Sequence, residues 1–306
     1  MLAAVSGWHD PHYKKTSIAS LTASLNDGKA HLLLACSGSV ATIKLPNIIQ
    51  AFSKYPSSQL SIRVVLTPSA TQFLAGQSKE QPTVSALSSL PNVDAVDADE
   101  WKAPWVRGGG ILHIELRRWA DLLVIAPLSA NTLAKITGGF ADSLLTSVVR
   151  AWDPWGEQDA AAGSSTATST ADKPDTTAQT SAAATQEEVE GASRARRPKK
   201  RRIIVAPAMN TAMWRHPITA KQLRVLEEEW GVQKPAVSST EAGDESAAAP
   251  QSQETTAQSS ADEGDGWFEV LRPQRKVLAC GDAGDGAMVE WPQIVAVVED
   301  RLGLEA

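Results

Sequence analysis

Four short apolar runs constrain this chain more than any other feature: His31–Cys36, Ile62–Leu66, Asp121–Ala126 and Ile203–Ala206. Each stops abruptly at small, hydroxyl or proline residues, and each is followed by apolar residues at helical spacing. After the first run, Val40, Ile43, Ile48, Ile49 and Phe52 keep that spacing, with Pro46 interrupting near the first turns. A helix is expected from about Ser69 after the second run, two around Asn131–Ile136 and Asp142–Trp152 after the third, and one over His216–Glu229 after the fourth. Val277–Ala279 reads as a last short strand, followed by a helix over Pro292–Arg301. Strands this apolar, alternating with helices, predict a parallel sheet covered on both faces. Such sheets bind ligands beyond the carboxyl ends of their strands.

Two stretches break the pattern. From Pro154 to Glu190 the chain is Ala, Ser, Thr, Gln, Asp and Glu, running into the basic block Arg194–Arg202. From Ser238 to Gly266 it carries acidic residues such as Glu241, Asp244, Glu254 and Asp265, with no Lys or Arg. Neither has the apolar surface to offset its ordering entropy, so both are expected to be disordered. The remaining sequence, about 220 residues, suits one domain. The expected fold is α/β, a single Rossmann/flavodoxin-like domain with a parallel sheet flanked by helices and two disordered insertions. The expected boundaries are an N-terminal extension at 1–27, domain segments at 28–153, 203–237 and 267–306, and insertions at 154–202 and 238–266. The basic block reads as solvated linker, with nuclear import or phosphate binding as alternatives.

The net charge of −6 argues against general nucleic-acid affinity. Two cysteines, Cys36 and Cys280, give neither a disulfide framework nor a zinc pattern, and no metal is expected. Cys36, ending a strand, reads as a buried small residue. No secretory h-region and no run of about 20 apolar residues is present, so the expectation is a soluble cytoplasmic protein without a membrane partner.

The loops after the strands carry the chemistry. Cys36-Ser-Gly-Ser-Val-Ala41 has the small residues that let backbone N–H groups approach an anion, and an ordinary tight turn is the alternative. Thr67-Pro-Ser69 supplies two hydroxyls, for an anion or simply for a helix cap. Asn131 and Asn210 offer both donors and acceptors to a flat heteroaromatic ring, or cap helices.

Together, Gly38–Lys44, His113–Asp121, Ala126–Thr132, Pro207–Trp214 and Ala279–Met288 resemble the phosphopantothenoylcysteine decarboxylases, within the homo-oligomeric flavin-containing cysteine decarboxylases. The resemblance covers Leu32 to about Leu302 apart from the two polar stretches. It implies FMN, with phosphate near Ser39, Val40, Ala41, Thr67 and Ser69. It implies a flavin ring against Ser129, Ala130, Asn131 and Thr132, with Ala208 beside it. His113 is implied as the catalytic histidine, Asn210 as a substrate-carboxylate contact, and Cys280 as an acid on a loop closing over the substrate. The implied substrate is 4′-phosphopantothenoylcysteine, decarboxylated to 4′-phosphopantetheine for coenzyme A synthesis through thiol oxidation, CO2 loss and reduction of an enethiol. A homotrimer is implied, or a mixed trimer with a paralogue, with each site at a subunit boundary. Pro68 departs from the basic or polar residue expected between the two hydroxyls and is not expected to be a direct ligand.

The alternative is a regulatory subunit that inhibits a protein phosphatase on the same fold. Ending at Ala306 without a long acidic tail, and retaining both His113 and Cys280, favours a self-sufficient enzyme. A decarboxylase of peptidyl cysteine fits the motifs around His113 and Cys280 less well, and a flavin prenyltransferase would not need the Cys280 loop. Arg117 and Arg118 read as ion-pair partners, with a substrate contact as the alternative for one of them.

Overall fold

In a computed structural model, residues 16–101, 104–156, 200–232, 266–277 and 283–305 are described. The interiors of both expected insertions, and Cys280, lie outside the described residues.

Helix α1 (Ile18–Ser24), capped by Ser17, leads into strand β1 (Ala30–Cys36). A 3-10 turn (Val40–Lys44) then feeds α2 (Leu45–Ala51). Pro46 sits in the first turn of α2, where its missing N–H costs no helical bond. Strand β2 (Leu60–Leu66) is followed by α3 (Pro68–Thr71), a hairpin of β3 (Ala75–Ser78) and β4 (Gln81–Thr83), and α4 (Val84–Leu87). Strand β5 (Val93–Asp97), α5 (Leu112–Trp119), β6 (Leu122–Leu128), α6 (Ala130–Thr137) and α7 (Leu144–Arg150) complete the first segment. The second segment holds β7 (Arg202–Pro207), α8 (Thr211–Arg215) and α9 (Pro217–Arg224), which ends in a π turn at Val225–Glu229. The third holds β8 (Phe268–Val270), β9 (Gln274–Val277), β10 (Ala283–Ala287) and α10 (Trp291–Leu302).

Among the described residues, six strands form one parallel sheet in the order β5-β2-β1-β6-β7-β8. The chain winds outward from β1 through β2 to β5, then returns to β6 on the other side of β1. The switch point, where such sheets open a crevice, therefore lies between β1 and β6. Strand alternation divides the core between the two faces. Leu32, Leu34 and Cys36 pack with Ile48, Ile49 and Ile294 of α2 and α10. Leu33 and Ala35 pack with Leu116, Trp119, Leu133 and Leu145 of α5, α6 and α7. A period-two strand flanked by helices on both faces gives this split directly.

Several strands differ from the sequence expectation, among them β5, which no apolar run marked. Val277 belongs to the β9–β10 hairpin, which is antiparallel and separate from the main sheet. The sixth sheet strand is β8, whose three residues Phe268–Val270 were too short to stand out as an apolar run. The expected helix from Ser69 is the single turn α3, and His216 divides the expected 216–229 helix from α8. His216 accepts from the N–H of Ile218 (3.2 Å) and caps α9. His31 is a core residue, its ring stacked on Trp119 at 4.5 Å. Cys36 is buried as expected, its Sγ donating to the Ala126 carbonyl at 2.9 Å, and burial pushes its thiol strongly upward.

The ends of both polar stretches belong to the fold, which trims the expected boundaries. Arg201 N–H donates to the Pro154 carbonyl (2.8 Å), Lys200 is buried over the Trp155 ring, and Arg202 opens β7 and pairs with Glu269 of β8. Trp267 N–H donates to the Trp230 carbonyl (2.8 Å), and Val232 N–H donates to the Phe268 carbonyl (3.0 Å). Each stretch thus leaves and re-enters the fold at adjacent points. Replacing residues 159–190 and 241–262 by short Gly/Ser linkers is expected to change stability by less than about 1 kcal/mol, because loop-closure free energy varies slowly with length. Urea denaturation of the shortened and parent chains checks this; a collapse of the transition midpoint would make one stretch structural.

No helix among the described residues is long and apolar enough to cross a membrane.

Candidate active site

The carboxyl ends of β1, β2, β6 and β7 meet at one rim, and the sequence there builds the same device four times. A hydroxyl or amide side chain leaves the strand end and caps the next helix. Ser39 Oγ accepts from Ala41 N–H (3.4 Å), and Thr67 Oγ1 accepts from Ala70 N–H (3.3 Å). Ser129 Oγ accepts from Thr132 N–H (3.3 Å), and Asn210 Oδ1 accepts from Met213 N–H (2.8 Å). Such caps contribute about 0.5–2 kcal/mol each. They also fix the backbones of the four loops at the rim.

Ser37, absent from the sequence-predicted site, ties the two loops at the switch point. Its Oγ donates to the Pro127 carbonyl (3.0 Å) and accepts from Ser129 N–H (2.7 Å). Pro127 has no N–H of its own to offer; its carbonyl also accepts from Ser37 N–H at 3.0 Å. The loop after β7 is tied to β6 by Ala208 N–H donating to the Leu128 carbonyl (2.9 Å). Gly38 lets the loops after β1 and β2 touch: a Cβ there would lie 2.5 Å from Ser69 Oγ and 2.6 Å from Ser69 Cβ. Gly38→Ala is therefore expected to push these loops apart, at a cost of about 1–3 kcal/mol for overpacking. Thermal denaturation checks it, and an unchanged melting temperature would mean that the loop carrying Ser69 shifts without cost.

Not every expected site side chain is free at the rim. Ser129, Thr132 and Ala208 are buried, with the two hydroxyls bonded to one another at 3.2 Å, so any ligand would meet mainly their backbone. Ser39, Ala41 and Ala130 are half-buried, and Val40, Ser69, Asn131 and Asn210 are exposed. Thr67 is buried, its hydroxyl 3.2 Å from that of Ser69. Asn131 is not the cap of α6; Ser129 is, which leaves the Asn131 amide to solvent or ligand. Asn210 does cap α8, so its Oδ1 is engaged while its amide N–H2 stays available. Residues 37–41, 67–70, 128–132 and 207–211 carry no charged side chain. An anion at this rim therefore meets no opposing carboxylate within those four loops.

His113 stands in the first turn of α5, one residue inside the helix start at Leu112. Because α5 runs into β6, its first turn lies at the carboxyl rim. The half-buried imidazole is bonded through Nδ1 to Glu100 Oε1, a partner that no sequence pattern marked. About one turn on, Arg117 pairs with the buried Asp153 (3.1 Å) and Arg118 with Glu115 (3.0 Å), as ion-pair partners of the body of the fold.

The β9–β10 hairpin joins the last motif to the Met-Asn motif. Met209 N–H donates to the Gly286 carbonyl (3.0 Å), and a Cβ on Gly286 would sit 2.3 Å from the Met209 carbonyl oxygen. Arg215 of α8 pairs with Asp285 of β10 (2.8 Å), and that bond holds the Asp285 carboxyl below the usual range. Residues 278–282, Cys280 among them, lie outside the described residues.

A family model described as "Flavoprotein" matches residues 20–158 and 176–303. "Probable phosphopantothenoylcysteine decarboxylase" of Arabidopsis thaliana is 33% identical over 270 residues, which is 88% of this chain and 87% of the relative. "Probable thymidylate synthase" of Schizosaccharomyces pombe is 34% identical over 292 residues; the match takes in 95% of this chain but only 32% of that protein. Among solved structures, a Cys-to-Ser variant of phosphopantothenoylcysteine decarboxylase complexed with pantothenoylaminoethenethiol has a TM-score of 0.53 at 32% identity, covering 89% of this chain and 97% of that one. The FMN-binding protein AtHal3 also gives 0.53 at 32% identity, covering 91% and 99%.

Proposed function

Because this chain belongs to the Flavoprotein family, we propose that it is an FMN-dependent decarboxylase of coenzyme A synthesis, converting 4′-phosphopantothenoylcysteine to 4′-phosphopantetheine in the cytoplasm. The observation that carries this reading is the docking of the β9–β10 hairpin on the 207–214 loop through Met209, Gly286 and the Arg215–Asp285 pair. That contact brings the two strands that flank residues 278–282 to the loop of Asn210, and a flavin prenyltransferase would not need the Cys280 loop.

The rim fits FMN. Its phosphate would be held by Ser39, Val40, Ala41, Thr67 and Ser69, where hydroxyls and helix-start N–H groups gather without a carboxylate. The Gly38–Ser69 contact closes this cradle. The ring would lie on Ser129, Ala130, Asn131, Thr132 and Ala208, with the exposed Asn131 amide as the adjustable donor and acceptor. When bound, FMN supplies a two-electron acceptor and donor, so that the thiol carbon becomes a C=S group able to take the electrons that CO2 leaves behind.

The protein's own residues govern geometry and protons. Asn210 binds the substrate carboxylate by its amide N–H2, a neutral donor that does not stabilise the carboxylate charge so strongly that CO2 loss is opposed. His113 exchanges the proton of the oxidation half, since an imidazole ring has one nitrogen that can accept a proton and one that can donate. Cys280 supplies the proton that completes the saturated thiol. The active assembly is a homotrimer, or a mixed trimer with a paralogue, in which a neighbour completes each site; the exposed apolar side chains of Val40 and Met213 beside the rim suit such a contact.

The test is purification of the full chain, the absorption spectrum and identity of any released flavin, and CO2 release from 4′-phosphopantothenoylcysteine. Yellow protein that releases CO2 and forms 4′-phosphopantetheine supports the reading. Colourless or inert protein that instead inhibits a protein phosphatase replaces it with the regulatory alternative.

A further inference from the structure

Glu100 has no place in the five motifs, yet its carboxylate bonds directly to the His113 ring. The fold brings the two together from different elements. Glu100 follows the end of β5 through Ala98 and Asp99, and His113 opens α5, thirteen residues later. Within the intervening segment Trp105 Nε1 donates to the Gly109 carbonyl (2.8 Å) and Gly109 N–H donates to the Val106 carbonyl (2.9 Å), so the chain turns back toward the rim. The Glu100 side chain is only 10% exposed and that of His113 is 23% exposed. A solvated pair would contribute little order; a largely buried carboxylate against a histidine at the ligand-facing rim restricts both ring orientation and tautomer.

We infer that Glu100 is the positioning residue of His113, fixing its imidazole in the Nδ1–H tautomer with Nε2 as the proton-exchanging atom. An ionised carboxylate has no hydrogen to give, so the hydrogen of this bond belongs to Nδ1. Nε2 then carries the lone pair and takes up one proton from the substrate side, turning imidazole into imidazolium while Glu100 stays ionised beside it. The same carboxylate thus orients the neutral base and stabilises its protonated form, a division of labour known from other acid–base sites. The inference deepens the decarboxylase reading and rests on it for the identity of the proton.

The test uses the FMN-loaded full chain, as parent, Glu100→Gln and Glu100→Asp. Anaerobic mixing with 4′-phosphopantothenoylcysteine gives the rate of flavin bleaching and its substrate dependence, and nitrogen NMR of imidazole-labelled histidine reports the tautomer. Glu100→Gln is expected to slow bleaching on the order of 10²-fold, the low end of what a positioned acid–base group supplies. Flavin content and KM are expected to stay near the parent's, and the His113 signal to become a tautomer mixture. Glu100→Asp restores a carboxylate and is expected to recover part of both rate and tautomer. A parent-like rate in Glu100→Gln overturns the inference whatever the tautomer, and so does an unchanged tautomer. So does a loss accompanied equally in both variants by flavin loss and raised KM, which marks a merely structural role. Should the parent itself neither bind FMN nor release CO2, the functional reading falls, and the tautomer of Glu100→Gln alone then decides whether Glu100 sets the histidine.

Discussion

Cys280→Ser is expected to release CO2 without forming a matching amount of 4′-phosphopantetheine. If Cys280 supplies only the last proton, thiol oxidation and CO2 loss precede its role and survive the substitution. A thiol has a reference pKa near 8.5; a serine hydroxyl is a far weaker acid and does not replace it readily. The variant should accumulate reduced flavin and an enethiol two hydrogens lighter than the normal product. Mass spectrometry of the products and the anaerobic flavin spectrum decide the matter. Normal saturated product at the normal rate would remove Cys280 from the chemistry. A variant that neither binds substrate nor releases CO2 would assign it to closing the site.

For His113→Asn the expected outcome is different, and comparing the two variants divides the reaction. An amide of similar reach keeps the first turn of α5, because His113 is not the cap of that helix and its side chain is half-buried. Flavin content and melting temperature should therefore hold. Turnover should fall by about 10²–10⁴-fold or more, the range that a positioned general acid or base supplies. The flavin should no longer bleach on anaerobic mixing with substrate, since the block comes before CO2 loss. Near-normal turnover by flavin-loaded His113→Asn protein would take the histidine out of the mechanism.

The sequence was informative wherever chemistry is written into a contiguous run. Four of the six sheet strands were legible because both faces of each are covered, which makes them continuous apolar runs ending in small residues. The capping hydroxyls after them were legible for the same local reason. Strands β5 and β8 were not. Val93–Asp97 carries two aspartates and lies at one edge of the sheet, and Phe268–Val270 has three residues and lies at the other. An edge strand has less neighbouring surface to bury, so its composition departs less from that of a loop.

What the residues near one another in the chain can do, the sequence by itself determined: the α/β class, the rim loops, the motifs and the polar stretches that composition sets apart from the core. What required the tertiary structure was every pairing across long separations. Ser37 tying Pro127 and Ser129, Gly38 against Ser69, the β9–β10 hairpin on the Met-Asn loop and Glu100 on His113 have no periodicity to betray them. The physical reason is that hydrophobic burial repeats with the period of a strand or helix and so leaves a local signature. A hydrogen bond between loops needs only two atoms at the right place, and that place is set by how the parallel sheet winds.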